Sequence, residues 1–250
     1  MNQLLISTFA GVAGGFLSKS FEGSLKSIED LWYSCFGYKT EMARIKKEVE
    51  VEAYKQAIIT NLKKIPEENI QRPKLSIVGP AMEASKYYIE EPQLRDMFAQ
   101  LIASACDSSK SEFTHPAFVE CIKQMSSNDA VLFSKLGNYG PLVDYILNLK
   151  SQPGLSTVMA EGVHLSEAVP FYSQANCLSI SNLARLNIIA FDKLLSGDDV
   201  LNYSIYEKSN LYNKCQQEVI ERPDIYKDFK LKKYYFNITE FGKAFRAACF

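Results

Sequence analysis

Four carboxylates and a histidine near the middle of the chain are the residues whose types could do chemistry. The set consists of Glu90, Glu91, Asp96, Asp107 and His115. Side chains of these types that converge in one pocket can perform general acid–base catalysis or support a metal-dependent, nuclease-type reaction. The alternative is that the glutamates complement the positive start of a helix at Pro92, that Asp107 ends that helix, and that His115 caps the next. We favour this alternative, because the spacing matches no catalytic triad.

The cysteines and glycines give little support for a metal or nucleotide site. The six cysteines, at positions 35, 106, 121, 177, 215 and 249, form no CxxC pair and lie mostly among apolar neighbours. This pattern is typical of reduced cytosolic thiols rather than of zinc ligands or disulfides. The glycines lack the GK[ST] or GxGxxG context of a phosphate loop. We therefore expect no metal and no cofactor, and we expect His164 on the surface or half-buried.

An uncharged segment near the N-terminus, Leu4–Leu17, is the least ordinary local composition in the chain. As a helix it would be about 21 Å long, short of the roughly 30 Å hydrocarbon core of a membrane. Ser7, Gly11 and Gly15 fall at intervals of four and would form a smooth strip next to Phe16, as close helix–helix contacts require. Three interpretations stay open: a core helix, a helix that self-associates, and a segment that enters a membrane on activation. It lacks the basic start of a secretory signal.

Basic residues in the C-terminal third are candidates for binding nucleic acid or a partner protein. They are Arg185, Lys230, Lys232 and Lys233. The formal net charge of −1 gives no broad attraction for nucleic acid. DNA binding also requires several phosphate contacts, whereas Arg185 is the only basic side chain on the helix that would read DNA. We therefore expect a protein partner or a second copy of the chain rather than nucleic acid.

The central acids and His115 must be positioned by short helices in the first 150 residues. Apolar residues at helical spacing predict a helix from Pro92 to Ala105, with Ser104 on its polar face. Pro80 and Pro116 mark the starts of two further helices. Another apolar helix is predicted to follow the turn at 137–141 and to run to Leu149.

The C-terminal part has a different character. Tyr172–Phe191 reads as a helix or helix pair, Phe229–Ile238 as one or two strands, and Thr239–Cys249 as a closing helix capped by Thr239. This order resembles a winged helix. We therefore predict a mainly α fold, a multi-helix bundle with a small C-terminal winged-helix-like α+β subdomain. The predicted segments are N-terminal helices at 1–40, a helical core at 41–150 and the winged-helix-like subdomain at 151–250.

Several phrases resemble the Abi-alpha (abortive-infection alpha) family, and they occur in the order that the family has. They are Gly79-Pro80, the helix YYIEEPQLRDMFAQLIASACD, His115-Pro116-Ala117-Phe118-Val119, Ser126-Ser127-Asn128-Asp129-Ala130, and, more C-terminally, LARLNII from Leu183 and ITEFGKAF from Ile238. The resemblance covers about residues 75–250. It implies a role in defence against phage and implies no known reaction.

We accordingly expect a cytoplasmic phage-defence protein, a toxin that arrests or kills the infected cell without a conventional active site. Regulated association into an oligomer, followed by membrane association and disturbance on activation, is the expected mechanism. The alternatives are a metal-dependent nuclease that uses the central acids, and a regulator that binds nucleic acid or protein through the C-terminal subdomain.

Overall fold

The computed structural model describes residue 28 and residues 41–152, 154–192 and 201–250. The chain divides into two compact units. The first contains the described residues up to Ser127 together with Ala244–Phe250, and the second contains Asn128–Lys243. The three-segment division predicted from the sequence stays a prediction.

The described residues form α-helices and one antiparallel sheet. The helices are α1 (Glu41–Leu62), α2 (Leu75–Ser85), α3 (Pro92–Ala105), α4 (Ala117–Lys123), α5 (Ser127–Lys135), α6 (Gln174–Arg185), α7 (Ser204–Glu207), α8 (Asn210–Glu221) and α9 (Glu240–Cys249). Short 3₁₀ turns lie at Glu67–Asn69 and Ser108–Lys110. The strands are β1 (Tyr139–Leu149), β2 (Ser156–Val163), β3 (Ile189–Asp192) and β4 (Tyr226–Ile238), in the sheet order β2-β1-β4-β3.

Helix α3 is the centre of the first unit. Pro92 occupies its first turn, where a missing amide costs nothing. The residues predicted to form its apolar face are all buried, and α3 packs against α1, α2 and α4. They are Leu94, Met97, Phe98, Leu101, Ile102 and Ala105. The predicted amphipathic helix is confirmed.

Two details of the helical prediction were wrong. Helix α2 begins at Leu75, so Pro80 lies inside it rather than at its start. The proline removes one backbone hydrogen bond, to the carbonyl of Ser76, and Ser76 is itself exposed. Ser104 was placed on the solvent face of α3 but is buried, because its hydroxyl donates to the carbonyl of Ala248 at 2.9 Å.

The sheet is built around β1 and β4, which pair antiparallel along almost their entire lengths. Residues 142–147 of β1 are all buried, as expected for a strand covered on both faces. Val143, Tyr145 and Leu147 pack on one side into an apolar cluster that includes Tyr206 of α7 and Cys215 of α8. The opposite side carries Leu142, Asp144 and Ile146 by strand alternation.

The predicted mainly α fold class was wrong. The described residues are 52% helical and 21% strand, a mixed α/β structure. The segment predicted as a helix up to Leu149 is β1, because a short apolar run has no periodicity that separates a buried strand from a buried helix. Phe229–Ile238, predicted as one or two strands, is part of the single strand β4 in the interior of the sheet.

The end of α6 and the start of α9 explain the residue types of two sequence motifs, LARLNII from Leu183 and ITEFGKAF from Ile238. Asn187 adopts a left-handed φ of 57°, and the amides of Asn187 and Ile188 bond to the carbonyls of Ala184 and Leu183. This is a Schellman motif, in which asparagine tolerates the left-handed position. Thr239, as predicted, caps α9, since its Oγ1 accepts from the Gly242 amide at 2.9 Å. The segment Tyr172–Phe191 was predicted as a helix or helix pair, but its end lies in strand β3, Ile189–Asp192.

Candidate functional site

A buried carboxylate on strand β1 accepts three hydrogen bonds. Asp144 is 3% exposed. Its Oδ1 accepts from the Gly162 amide at 2.9 Å and from the Tyr234 hydroxyl at 2.7 Å, and its Oδ2 accepts from Lys232 Nζ at 3.0 Å. The Lys232 side chain is 61% exposed, so the cluster joins a buried acid to a base at the surface. Three donors, one of them charged, therefore satisfy this buried carboxylate.

Gly162 supplies its amide because the pairing of β1 with β2 is irregular there. The register shifts on both sides of Tyr145, and Gly162 has a φ of +66°. A left-handed residue at a bulge turns the backbone amide toward the acid, and glycine adopts this φ without strain. The side chain of Ile180 in α6 lies 3.5 Å from where a Cβ at Gly162 would be.

The groups around Asp144 are protonated at neutral pH. Burial, together with the hydrogen bond to Asp144, raises the pKa of the Tyr234 hydroxyl. Burial also raises the pKa of the Cys177 thiol to about 11, with a further contribution from the charge of Asp144. Tyr234 is therefore a hydrogen-bond donor rather than a base, and Cys177 is not an activated nucleophile. The arrangement suits binding and positioning better than acid–base catalysis.

Exposed aromatic and basic side chains surround this cluster. Phe191 of β3 is 46% exposed, and its ring meets the Tyr234 ring edge to face, with centroids 5.8 Å apart. Lys232 Nζ lies 5.5 Å from the centroid of the Tyr234 ring. Lys230 is exposed and shares the face with Lys232, since the two are separated by one residue on a regular strand. We call Phe191, Lys230, Lys232 and Tyr234 the lysine–aromatic face.

A second buried network lies nearby in the same unit. His164 was expected on the surface or half-buried, but it is 6% exposed. Its Nδ1 donates to the Pro141 carbonyl at 3.0 Å, and its ring packs edge to face on Phe236. Tyr206 donates to the same carbonyl at 2.9 Å. Burial lowers the pKa of His164, so the ring is neutral at pH 7 and acts as part of the packing.

The central acids predicted as catalytic candidates serve local structure. Glu91 is exposed and accepts from the Ser127 hydroxyl at 2.6 Å. Asp96 is exposed beside Arg95, with 3.4 Å between Oδ1 and Nε. Glu90 is an exposed residue in the turn before α3. The structural roles that we favoured for these acids stay predictions, and so does the alternative in which they are catalytic.

The remaining two candidates also act at helix boundaries. Asp107 begins the 3₁₀ turn, and its carboxylate accepts from the Ser109 amide at 2.9 Å. Nδ1 of His115 accepts from the Ala117 amide at 3.1 Å, at the start of α4. Within the described part of the chain, no group of three or more His, Cys, Asp or Glu side chains is placed to hold a metal ion.

The predicted basic residues are distributed over different surfaces. Lys230 and Lys232 share one face of β4, whereas Lys233 points to the other face, where its Nζ lies 5.3 Å from the Tyr203 ring. Arg185, at the end of α6, donates to the Asn182 side chain. Strand alternation thus divides what the sequence presents as one basic patch. Their predicted binding role stays a prediction.

The predicted self-association strip of Ser7, Gly11 and Gly15, with Phe16, lies outside the described residues. Among the helices that are described, none is long and apolar enough to cross a membrane. The described cysteines, at positions 106, 121, 177, 215 and 249, are free thiols.

Hydrogen bonds within the second unit hold the sequence motifs that resemble the Abi-alpha family. Asn128 donates to the Ser179 hydroxyl at 2.8 Å, and Asn182 donates to the buried carboxylate of Asp129 at 2.9 Å. The Ser-Ser-Asn-Asp phrase therefore anchors α5 on α6. Thr239 donates through its hydroxyl to the Asn187 carbonyl at 2.6 Å, which joins the LARLNII and ITEFGKAF phrases.

Comparison with known proteins shows the family of the chain. The family model described as "Abortive infection alpha" matches residues 46–249 of the 250-residue chain. The chain belongs to the abortive infection alpha family. This confirms the resemblance found in the sequence, and membership in the abortive infection alpha family suggests abortive-infection defence against phage. No curated protein and no solved structure matched the chain.

Sequence reasoning named Lys232 but missed the other residues of its cluster, Asp144, Gly162 and Tyr234. Asp144 is the only charged residue between Pro141 and Leu149, and a lone acid in an apolar run signals a buried carboxylate that needs donors. Lys232 and Tyr234, two positions apart in a strand, share one face. No sequence pattern marks the Gly162 amide, because its position depends on an irregular strand pairing.

The strip at 7–16 precedes the part of the chain that matches the abortive infection alpha family.

Proposed function

We propose that this protein limits phage spread by arresting or killing the infected cell before progeny phage are released. The observation that carries the proposal is the family match, which spans residues 46–249 and so includes both described units. The defence role is suggested by the family, and the toxicity is our own step.

The second step of the proposal concerns the strip of Ser7, Gly11 and Gly15, with Phe16. We propose that the protein is cytoplasmic before infection and that this strip then mediates contact with a second copy, which brings the apolar segment to a membrane and disturbs it. The support is the small-residue spacing, which allows close helix contacts. The segment lies before the family match, so defence and membrane disturbance are separable claims.

The defence claim is tested by phage infection of bacteria that express the full chain or an empty vector. When phage outnumber cells, we expect early arrest or death and a reduced yield of progeny. When cells outnumber phage, we expect the culture to survive. Unchanged phage yield from cells that contain the folded protein would refute the defence claim for this chain.

The membrane claim is tested in the same cultures by uptake of a membrane-impermeant dye. The variants are a deletion of residues 1–20, Gly11→Leu on the strip, and Ala13→Leu as the matched control. On the helix that the sequence predicts, position 13 lies about 200° from position 11 and points away from the strip. Dye uptake should be lost with the deletion and with Gly11→Leu and kept with Ala13→Leu.

His115→Ala separates the membrane mechanism from an enzymatic one. Dye uptake that needs residues 1–20 but not His115 supports the membrane mechanism. Arrest without dye uptake, lost on His115→Ala, contradicts it and directs the search to an intracellular reaction. Defence that survives deletion of residues 1–20 removes the segment from the mechanism while leaving the defence claim intact.

A further inference from the structure

The lysine–aromatic face combines the two kinds of group that bind unpaired nucleotides. The Phe191 ring is nearly half exposed at the sheet surface, and Tyr234 supports it edge to face. The hydrogen bond from Tyr234 to buried Asp144 holds that supporting ring in place. A rigid, exposed ring on a sheet is a platform on which a base can stack at small entropic cost.

Positive charge lies beside this platform on the neighbouring positions of β4. Lys232 Nζ is held at 3.0 Å from Asp144 Oδ2 while most of its side chain is exposed, and Lys230 is exposed two residues further along. Adjacent positions on one strand face are about 7 Å apart, close to the spacing of phosphates along an extended single strand. Charge and aromatic surface therefore follow one line along β4.

We propose that the lysine–aromatic face binds single-stranded nucleic acid, with a base stacked on Phe191 and phosphates beside Lys230 and Lys232. A flat sheet surface with an exposed ring fits unstacked bases, whereas duplex DNA is read mainly by an element that enters a groove. This binding is separate from the proposed effector step.

The binding is tested with the full chain and fluorescently labelled single strands of about 12 nucleotides, within the range that one binding domain covers. Oligo-dT, oligo-U and a duplex of equal length are compared by fluorescence anisotropy at several salt concentrations. We expect binding to the single strands and much weaker binding to the duplex. The two single strands distinguish a DNA ligand from an RNA ligand.

Substitutions on the lysine–aromatic face test whether this face binds the single strand. Phe191→Ala should weaken binding roughly tenfold through lost stacking. Phe191→Leu, which keeps apolar bulk, should weaken binding similarly and guards against misfolding of the alanine variant. Lys230→Ala should reduce the slope of log affinity against log salt by about 0.7, the value for one phosphate contact on a single strand.

Two matched variants should behave differently. Lys233→Ala removes the same charge from the same strand but on the opposite face, so affinity should not change. Glu161 interacts electrostatically with Tyr234, so Glu161→Gln removes a negative charge near the face and should tighten binding.

Several results would overturn the proposal. Equal binding of duplex and single strands, or equal losses from Lys230→Ala and Lys233→Ala, would show unspecific charge attraction. Binding of polyglutamate that competes fully with the oligonucleotide and ignores Phe191 would point to an acidic polypeptide instead. Absence of oligonucleotide binding by the folded full chain at low salt would also reject it. None of these results bears on phage yield, so the defence claim stands or falls separately.

Discussion

Asp144 places a carboxylate among the buried and otherwise apolar residues 142–147 of β1. Replacing it with alanine leaves the Gly162 amide and the Tyr234 hydroxyl without their acceptor in a buried site. Loss of one partner from such a network costs about 2–4 kcal/mol of unfolding free energy. We expect Asp144→Ala to show a loss of this size in urea unfolding followed by circular dichroism.

Lys232→Ala is the matched control, because it removes the third partner of the same carboxylate. The side chain is mostly exposed, so its ion pair contributes only about 1 kcal/mol or less. Equal losses from the two substitutions would show that the ion pair, rather than the buried hydrogen bonds, stabilises the strand.

His164 connects stability to pH. Burial lowers its pKa below the ordinary value of 6.5, so the unfolded chain binds the proton more readily. Unfolding free energy should therefore fall as pH drops from about 6.5 toward the folded-state pKa, and stay level above 6.5. His164→Gln should flatten this part of the profile. A profile identical in wild type and His164→Gln would contradict the assignment.

At the scale of elements, helix α9 depends on one glycine. A Cβ at Gly242 would lie 2.0 Å from the Ile188 carbonyl oxygen, so the backbones of the two elements touch only because no side chain is present. Gly242→Ala should cost about 2–3 kcal/mol, as overpacking does. Gly79→Ala in α2 is the comparison, because apart from its chain neighbours and its own helix backbone nothing lies within 4 Å of the new methyl group. It should cost about 1 kcal/mol or less, because the gain in helix propensity offsets the contact of the new methyl group with the ring of Pro80. Thermal unfolding of both variants checks the difference.

Elements whose residues carry a clear period were predictable, and those defined by their neighbours were not. Helix α3 has apolar spacing that suits only a helix, and Thr239 has the chemistry of a cap. Strand β1 lacks a period because it is buried on both faces, so its apolar run read as a helix. With β1 misassigned, Asp144 had no strand to join it with Gly162 and Tyr234. Lys232 was therefore named as a binding candidate without the buried acid that holds it.

At the scale of the whole molecule, the chain end is part of the first unit. The Phe245 ring meets buried Phe118 edge to face at 5.3 Å, and the carbonyls of Ala247 and Ala248 accept from Lys110 and Ser104. The first unit therefore cannot complete its core until residues 244–250 have been synthesised, and contacts so distant in sequence form slowly.

Deletion of residues 245–250 tests this dependence. It exposes Phe118 and leaves the buried Ser104 hydroxyl without its acceptor, so amides of α3 and α4 should lose hydrogen-exchange protection. Strands β1 and β4 should keep theirs, because their hydrogen bonds lie within the second unit. Deletion of Phe250 alone, whose side chain is 44% exposed, is the control and should leave α3 protected. Because the family match extends to residue 249, the longer deletion should also abolish the reduction in phage yield. Full protection of α3 after that deletion would show that the first unit closes without the chain end.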